Sequence, residues 1–212
     1  MVNIHKPYGV YEKYFKRFFD FIISLCGLII LSPAIGIVAL LVKIRLGTPV
    51  IFQQERPGKD EQIFKLYKFR TMTDKKDKSG NLLPDIDRLT KFGNLLRKTS
   101  LDELPELLNI LKGDMSIVGP RPLLVRYLPY YTDQERHRHD VRPGLTGLAQ
   151  VSGRNFLKWE ERFILDCNYV SKITLKGDAY ILLQTILKVL KHADIMDGSE
   201  QMDFKNLDEE RK

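Results

Sequence analysis

The longest apolar run in the chain extends from Phe18 to Val42, with Asp20, Ser24 and a Ser32-Pro33 pair as its main interruptions. Its length suits a membrane helix, because about 20 apolar residues cross roughly 30 Å of hydrocarbon. A cleavable signal peptide fits less well, because the run begins late and no small-residue cleavage pattern follows it. The pattern therefore predicts a helix that stays in the protein as a membrane anchor.

The Ser32-Pro33 pair leaves two topologies open for this anchor. Pro33 has no N–H, so the carbonyl of Ile29 loses its helical partner, and the Ser32 hydroxyl can repair part of the damage by bonding to a nearby carbonyl. The result is either an ordinary kinked span or a helix-break-helix hairpin that enters and leaves by one face. Basic residues flank the run on both sides: Lys13, Lys16 and Arg17 before it, Lys43 and Arg45 after it. Because this positive charge is nearly symmetric, it favours the hairpin with both ends in the cytoplasm.

Shorter periodicities beyond the anchor predict a small mixed domain. Two β-propensity segments, 48–54 and 61–72, are joined by a turn that contains proline and glycine, which indicates a β-hairpin. Helical patterns follow around 88–98, 159–170 and 179–191, and the last of these is amphipathic. A leucine stripe at helical spacing indicates a core or membrane-facing surface: Leu104, Leu107, Leu108 and Leu111.

Together these patterns predict an α+β fold. We expect a re-entrant N-terminal membrane helix-break-helix and a small, mainly helical cytoplasmic domain with a short β-hairpin and interfacial amphipathic helices. The expected boundaries are an N-terminal segment with the anchor over 1–45, a main domain over 46–192 and an acidic C-terminal tail over 193–212.

Charge and cysteine content narrow the choice of partners. The formal net charge is +7, but residues 193–212 carry seven acidic and three basic residues, which leaves the preceding part at +11. Such a basic body favours anionic lipid headgroups and phosphate-bearing partners, and no signature of a nucleic-acid fold accompanies it. Two distant cysteines, Cys26 and Cys167, predict neither a disulfide framework nor a metal quartet. A reducing, cytoplasmic setting is the simpler interpretation.

Adjacent carboxylates, Asp102 and Glu103, are the first candidates for chemistry. One alternative is purely structural, because Ser100 and Glu103 have the spacing of a helix capping box. Pro105 disfavours that box, since it would fall beyond the first helical turn. The other alternative is catalytic: a carboxylate can act as a nucleophile, and Mg²⁺ is typically held by one or two carboxylates together with substrate phosphates. Neighbouring helical residues point about 100° apart, so the two carboxylates would divide these roles.

Cations in constrained settings surround this pair in the sequence. Lys68 lies on a predicted strand, Arg97 precedes Asp102 by five residues, Arg121 is held between two prolines, and Arg154 follows a glycine-rich segment. Any one of them alone is more typical of a solvated surface charge. Their common context favours rigid binding of phosphate oxygens, as in the recognition of a pyrophosphate.

Three segments and the broken apolar run carry a resemblance to a known family. These segments are SLDELPELLNILKGDMSIVGPRPLL, KLYKFRTM and HRHDVRPGLTGLAQVSGRN. In order and spacing the chain resembles the bacterial sugar transferases, and among them the small monotopic phosphoglycosyl transferases of the PglC-like group. The resemblance extends from about Tyr11 to Lys191, so the acidic tail lies outside it.

The resemblance implies a mechanism and a role for each matching residue. Asp102 would attack the β-phosphate of a UDP-sugar, giving a covalent aspartyl-phosphosugar and UMP, and polyprenyl (undecaprenyl) phosphate would then take the sugar-1-phosphate. Glu103 would assist metal binding or proton transfer, with Mg²⁺ as the expected cofactor and both carboxylates as its ligands. The cations that match phosphate- and substrate-binding positions are Lys68, Arg97, Arg121 and Arg154. Ser32 and Pro33 match the break of the re-entrant helix, and Asp178 is a candidate supporting carboxylate.

The same resemblance implies location and partners. We expect a monotopic protein on the cytoplasmic face of a bacterial inner membrane, acting in the first membrane step of glycoconjugate biosynthesis. Besides membrane lipids and its two substrates, a homo-oligomer and downstream glycosyltransferases are partners to consider. An acetamido sugar is the first expectation, although the tail departs from that of the PglC-like enzymes. A non-catalytic, membrane-anchored module that binds anionic lipid is the alternative, and it has no need of the Asp102-Glu103 pair.

Overall fold

A long N-terminal helix and an α+β domain form the structure, a computed structural model that describes residues 5–153, 157–191 and 206–212. A π-helical turn, Tyr11–Phe15, leads into helix α1, Lys16–Leu46. At 1.5 Å per residue, the 31 residues of α1 extend about 47 Å. The helix continues through Pro33, and Ser32 Oγ donates to the Ile29 carbonyl at 2.8 Å, as the sequence predicts. Pro33 therefore does not interrupt the helix, and the re-entrant topology stays a prediction.

Most of the surface of α1 is apolar and uncovered. Ile29 and Ile30, near its middle, are 64% and 74% exposed, and the most apolar stretch of Tyr11–Leu46 is only 11% buried. By length and composition this helix could cross a membrane. An apolar helix inside a soluble core would be covered by protein on all sides. Its exposed surface therefore indicates membrane association.

Both halves of α1 nevertheless contact the α+β domain. In the first half, Asp20 accepts hydrogen bonds from Ser116 Oγ at 2.7 Å and from the Ile117 N–H at 2.9 Å. The Asp20 carboxylate is buried against the domain and is not exposed to water at the end of the helix. In the second half, a hydrophobic cluster joins the helix to the domain: Val38, Val42, Phe69 and Leu96. Asp20 is therefore a structural group that attaches the anchor.

The predicted β-hairpin is present. Strand β1, Ile51–Pro57, pairs antiparallel with β2, Ile63–Phe69, in a register that places Phe52 opposite Lys68. A second sheet of two parallel strands, β3 (Ser116–Val118) and β4 (Gly144–Thr146), is absent from the predicted elements. A Cβ atom on Gly144 would lie 2.1 Å from the Gly119 nitrogen, so this close pairing depends on glycine.

Eight further α-helices occur among the described residues, besides short 3₁₀ turns. They are α2 (Asp85–Arg88), α3 (Lys91–Lys98), α4 (Glu106–Lys112), α5 (Asp133–Arg136), α6 (Leu148–Ser152), α7 (Trp159–Ser171), α8 (Leu175–Lys191) and α9 (Leu207–Glu210). The helices predicted around 159–170 and 179–191 are confirmed as α7 and α8, and the one predicted around 88–98 is divided into α2 and α3. The leucine stripe near α4 is split, because Leu107 is buried whereas Leu108 is 42% exposed. The main core combines α4, β3, α7 and α8 with β2.

The C-terminal end packs against the domain. Residues 193–205 of the predicted tail lie outside the described residues. Beyond them, Leu207 of α9 is fully buried in a cluster with Leu123, Tyr127 and Phe163. The domain boundaries expected from the sequence stay predictions, but the last seven residues belong to the packed structure.

Candidate active site

The two adjacent carboxylates lie on a short turn between α3 and α4. Ser100 adopts a left-handed conformation, with φ 55° and ψ 17°, and its side chain makes no capping hydrogen bond. A single 3₁₀ turn, Leu101–Glu103, follows, and Pro105 occupies the N-cap position of α4. The capping-box alternative is therefore wrong. Because the carboxylates do not cap a helix, they are available for other contacts.

Glu103 is bound by two cations from separate elements. Lys68 of β2 donates to Glu103 Oε1 at 2.7 Å, and Arg121, from the loop after β3, donates to the same oxygen at 2.9 Å. Burial alone would raise the pKa of Glu103, but these two cations lower it below its ordinary value. Glu103 is therefore ionised and links the hairpin to the Pro-Arg-Pro loop.

A third carboxylate, Glu106, belongs to the same cluster, and the sequence analysis missed it. Glu106 Oε1 lies 3.1 Å from Lys68 Nζ and is almost fully buried. Burial and the charge of Glu103 raise its pKa, so Glu106 holds a proton more readily than Glu103 does. The sequence did contain one signal for Glu106: it follows Glu103 by three residues, and residues three apart lie on the same face of a helix.

Asp102 differs from both glutamates in its surroundings. It is only 7% exposed, and no described residue donates a hydrogen bond to its carboxylate. Burial, with the nearby charge of Glu103, raises its pKa from 3.8 to about 6, although Lys68, Arg97 and Arg121 oppose that shift. Asp102 is thus a buried carboxylate that is ionised at neutral pH and takes part in no structural pair with a described residue.

Asp102 lines an open groove of about 1470 Å³. Basic residues outnumber acidic ones in its lining: Arg56, Lys68, Arg70, Arg88, Lys91, Arg97, Arg121, Arg162 and Lys188. Aliphatic side chains line another part, including Leu31 of α1 and Leu182 and Val189 of α8. The groove therefore joins a cationic region around Asp102 to an apolar wall at the membrane helix.

The structure separates the predicted cations by their contacts. Arg97 lines the groove and donates to Thr71 Oγ1 at 3.1 Å. The helix of Arg97 can approach the segment after β2 closely because Gly93 has no Cβ atom, which would lie 1.8 Å from the Thr71 carbonyl oxygen. Arg142, a further arginine that precedes the glycine-rich segment, donates to the Gly113 carbonyl at 2.7 Å and is structural. Arg154 lies outside the described residues, so its role stays a prediction.

Arg56 of β1 is a further cation that sequence reasoning did not single out as part of the site. It lines the groove and also a small cavity of about 60 Å³ with Lys68, Glu106 and Arg121. Its buried Nε has no hydrogen-bond partner among the described residues. Burial, with the nearby charge of Arg121, lowers its pKa to about 10, so it remains a cation at neutral pH. Its place beside Pro57 and Gly58 in the sequence indicated only a turn.

The donor set is compatible with Mg²⁺ only as an ion shared with a phosphate ligand. Among the described residues, no group of three or more histidine, cysteine, aspartate or glutamate side chains converges on one point. Asp102 and Glu103 still supply two carboxylates, and Mg²⁺ commonly binds one or two carboxylates plus phosphate oxygens and water. His139 does not line this groove, because its ring packs against Tyr131 in the protein interior.

Comparison with known proteins gives this arrangement a context. Residues 11–192 match the family model described as bacterial sugar transferase. The chain belongs to this family. The bacterial sugar transferase match includes α1, the hairpin, the acid pair and α8, and therefore every candidate site residue, and it ends before α9.

Relatives of this bacterial sugar transferase include characterised and uncharacterised proteins. An uncharacterised sugar transferase, EpsL of Bacillus subtilis (strain 168), is 53% identical over 175 residues, which cover 82% of this chain and 87% of that protein. The undecaprenyl-phosphate galactose phosphotransferase of Salmonella typhimurium is 39% identical over 85% of this chain. The UDP-glucose:undecaprenyl-phosphate glucose-1-phosphate transferase of Klebsiella pneumoniae is 40% identical over 86% of it. This chain spans only 41% of the length of each of the last two.

Proposed function

We propose that this protein is a phosphoglycosyl transferase that moves a sugar-1-phosphate from a UDP-sugar to polyprenyl (undecaprenyl) phosphate and releases UMP. The observation that carries the proposal is Asp102, a buried, ionisable carboxylate without a structural partner among the described residues, at a groove lined with cations. The names of the Salmonella and Klebsiella relatives, which specify undecaprenyl phosphate, support the same substrate class. The reaction would be the first membrane step of glycoconjugate biosynthesis.

In the first step, an oxygen of the Asp102 carboxylate attacks the β-phosphorus of the UDP-sugar. A P–O bond forms to Asp102 while the bond from that phosphorus to the bridging oxygen of the diphosphate breaks, and UMP leaves with the electron pair. Because Asp102 reacts as a carboxylate, no base has to remove a proton from it. Its raised pKa also indicates that the desolvated anion is more basic than an exposed aspartate, which suits a nucleophile.

The cations contribute by position and charge. Lys68 of β2 and Arg121 of the loop after β3 both bind Glu103. Their two positive charges are therefore fixed beside Asp102 before the substrate arrives. Phosphoryl transfer depends mainly on positioning and on neutralising oxygen charge, which fixed cations provide without reorganisation. Mg²⁺, held by Asp102 and Glu103 with the diphosphate, would add further charge neutralisation.

In the second step, a phosphate oxygen of the polyprenyl phosphate attacks the phosphorus bound to Asp102. The Asp102–phosphorus bond breaks, the carboxylate is regenerated, and a polyprenyl diphosphate sugar leaves. The aliphatic wall from Leu31 and Leu182 gives the lipid a place beside the same carboxylate. A groove that serves both substrates in turn suits such a ping-pong scheme.

A re-entrant anchor on the cytoplasmic face of the inner membrane suits this scheme. The contacts of both halves of α1 with one domain support it, since a straight span would carry one half away from that domain. Single cysteines placed before residue 16 and after residue 46 test the topology, in a variant whose native cysteines are replaced. Labelling of both from the cytoplasmic side is expected, and labelling from opposite sides would restore the ordinary span.

The decisive experiment is trapping with the donor alone. Purified protein incubated with UDP-sugar labelled in the β-phosphate, without lipid acceptor, should become radiolabelled and release one UMP per active site. Asp102→Asn should give neither product. The matched control is Asp133→Asn, an exposed aspartate of α5 that does not line the groove, and it should give both products as the wild type does. A panel of UDP-galactose, UDP-glucose and UDP-acetamido sugars identifies the donor.

Wild-type protein that stays unlabelled with every donor would overturn the covalent mechanism. Salt-sensitive lipid binding without UMP release would favour the anionic-lipid module.

A further inference from the structure

The C-terminal segment Asn206–Lys212 completes a hydrophobic cluster behind the candidate active site. Leu207 is fully buried there among residues of the domain: Leu123, Tyr127, Tyr131 and Phe163. Polar contacts fix the same segment, because Asn206 Oδ1 accepts from the Tyr127 hydroxyl at 3.0 Å and Arg211 donates to Glu135 at 2.6 and 2.8 Å. The segment therefore contributes to a core that begins two residues after Arg121.

One connection to the site runs along the chain itself. Leu123 belongs to the Leu207 cluster and also lines the groove, and only Pro122 separates it from Arg121. Proline restricts the backbone on both sides, so a shift of Leu123 is passed on to Arg121 rather than absorbed between them.

A second connection runs through a buried arginine. Arg138 is 2% exposed, is paired with Asp166 at 2.8 Å and donates to the backbone carbonyl of Arg121 at 2.7 Å. Its guanidinium lies 5.7 Å from the ring centre of Tyr131 and 5.8 Å from that of Phe163. These two rings pack in the cluster that Leu207 completes. The position of the Arg121 backbone thus depends on the same aromatic cluster by two routes.

We propose that Asn206–Lys212 is a positioning element for Arg121, which holds the Pro-Arg-Pro loop so that its guanidinium meets Glu103 and the diphosphate of the donor. This inference rests on the proposed function for the identity of the ligand. The segment lies beyond residue 192, where the family match ends. It therefore lies outside the part of the chain that matches the family.

Leu207→Ala tests the proposal in the full-length protein, with Glu210→Gln on the exposed side of the same helix as the matched control. The ring of Trp159, the only tryptophan in the chain, has its centre 5.8 Å from that of Phe163 and 5.6 Å from that of Tyr127, so its fluorescence reports the packing of this cluster, while calorimetry measures UDP binding. We expect Leu207→Ala to weaken UDP binding and raise the KM for UDP-sugar about tenfold, with a smaller change in kcat per active site. Leu207→Met should restore both values and Glu210→Gln should leave them unchanged.

Hydrogen exchange separates positioning from a general loss of stability. In Leu207→Ala, the amides of 119–128 should exchange faster while those of the β1–β2 hairpin stay as in the wild type. If Leu207→Ala does not fold, Arg211→Gln keeps Leu207 in place and should change the UDP affinity in the same direction by about threefold. The proposal is overturned if Leu207→Ala and Arg211→Gln keep the UDP affinity, the KM and the loop exchange of the wild type. It is also overturned if Leu207→Ala makes hydrogen exchange faster throughout the protein. A wild-type protein that releases no UMP contradicts the proposed function instead, and loop exchange then still decides whether the segment positions Arg121.

Discussion

Asp178 and Asp102 are both buried aspartates, with 4% and 7% of their surface exposed, yet their surroundings are opposite. Asp178, in the first turn of α8, accepts hydrogen bonds from the Tyr11 hydroxyl at 2.8 Å, Lys16 Nζ at 2.6 Å and the Tyr169 hydroxyl at 2.8 Å. Asp102 receives none from the described residues and lines the groove. A buried charge that is fully paired holds elements together, whereas an unpaired one keeps a desolvation cost that a ligand or reaction can offset. Burial without a structural partner is thus what distinguishes the candidate nucleophile.

The largest expected effect separates the two aspartates by activity. Asp102→Asn should lower UMP release at least about 10³-fold, because the amide cannot act as the nucleophile. Asp178→Asn should retain the wild-type rate per folded molecule within about threefold, since Asp178 binds the anchor rather than the groove. Kinetics normalised to the folded fraction measure both variants. Equal losses in the two would remove the distinction between a structural and a chemical aspartate.

The free energy of unfolding should distinguish the same two aspartates in the opposite order, with the loss at Asp178. Asp178→Asn leaves the ammonium of Lys16 without its carboxylate in a largely buried position, which should lower the free energy of unfolding by about 2 to 4 kcal/mol. Thermal unfolding in detergent measures the effect. The double variant Lys16→Met, Asp178→Asn should recover part of the loss, because no unpaired charge remains. A single variant as stable as the wild type would show that Asp178 does not attach the anchor.

Local patterns were sufficient to predict much of this fold. The hairpin β1–β2, helices α7 and α8 and the Ser32 hydrogen bond to Ile29 all depend on residues close in sequence. The parallel pair β3–β4 could not be predicted in this way, because each strand has only three residues and its partner lies about 28 positions away. At Pro33 the sequence left a kinked helix and a helix-break-helix both open, and only the structure shows that the helix continues through the proline.

The candidate site, like the fold, could be predicted only in part from local sequence. The Asp102-Glu103 pair could be identified from the sequence, but its spacing from Ser100 was equally compatible with a capping box. The left-handed Ser100 and the contacts of Glu103 with Lys68 and Arg121 decide between these alternatives, and both depend on tertiary structure. The part played by Glu106 likewise follows from where Lys68 lies after folding, which no local pattern contains.

Asp102→Asn should also stabilise the protein at neutral pH. The folded state raises the pKa of this carboxyl from 3.8 to about 6, so it favours the protonated form and loses stability as pH rises through that interval. Above pH 6 the full cost applies, and asparagine removes it, for a gain of about 1 to 3 kcal/mol at about 1.4 kcal/mol per pKa unit. Unfolding midpoints of wild type and variant, compared at pH 7.5 and pH 4, measure the difference. The gain should shrink at pH 4, and a variant less stable than the wild type at pH 7.5 would indicate that Asp102 has a structural partner.

The smallest expected effect is a shift in the pH profile of donor cleavage. Because Asp102 must be ionised to attack phosphorus, kcat/KM for UMP release should fall about tenfold per pH unit below a midpoint near 6. The diphosphate of a UDP-sugar has no proton to gain or lose in this range, so the profile follows the enzyme. Arg97→Gln removes a cation that lowers the Asp102 pKa and should move the midpoint upward, whatever it does to the rate itself. A wild-type midpoint near 4 would mean that Asp102 is solvated like an ordinary surface aspartate, and its contrast with Asp178 would then lose its electrostatic basis.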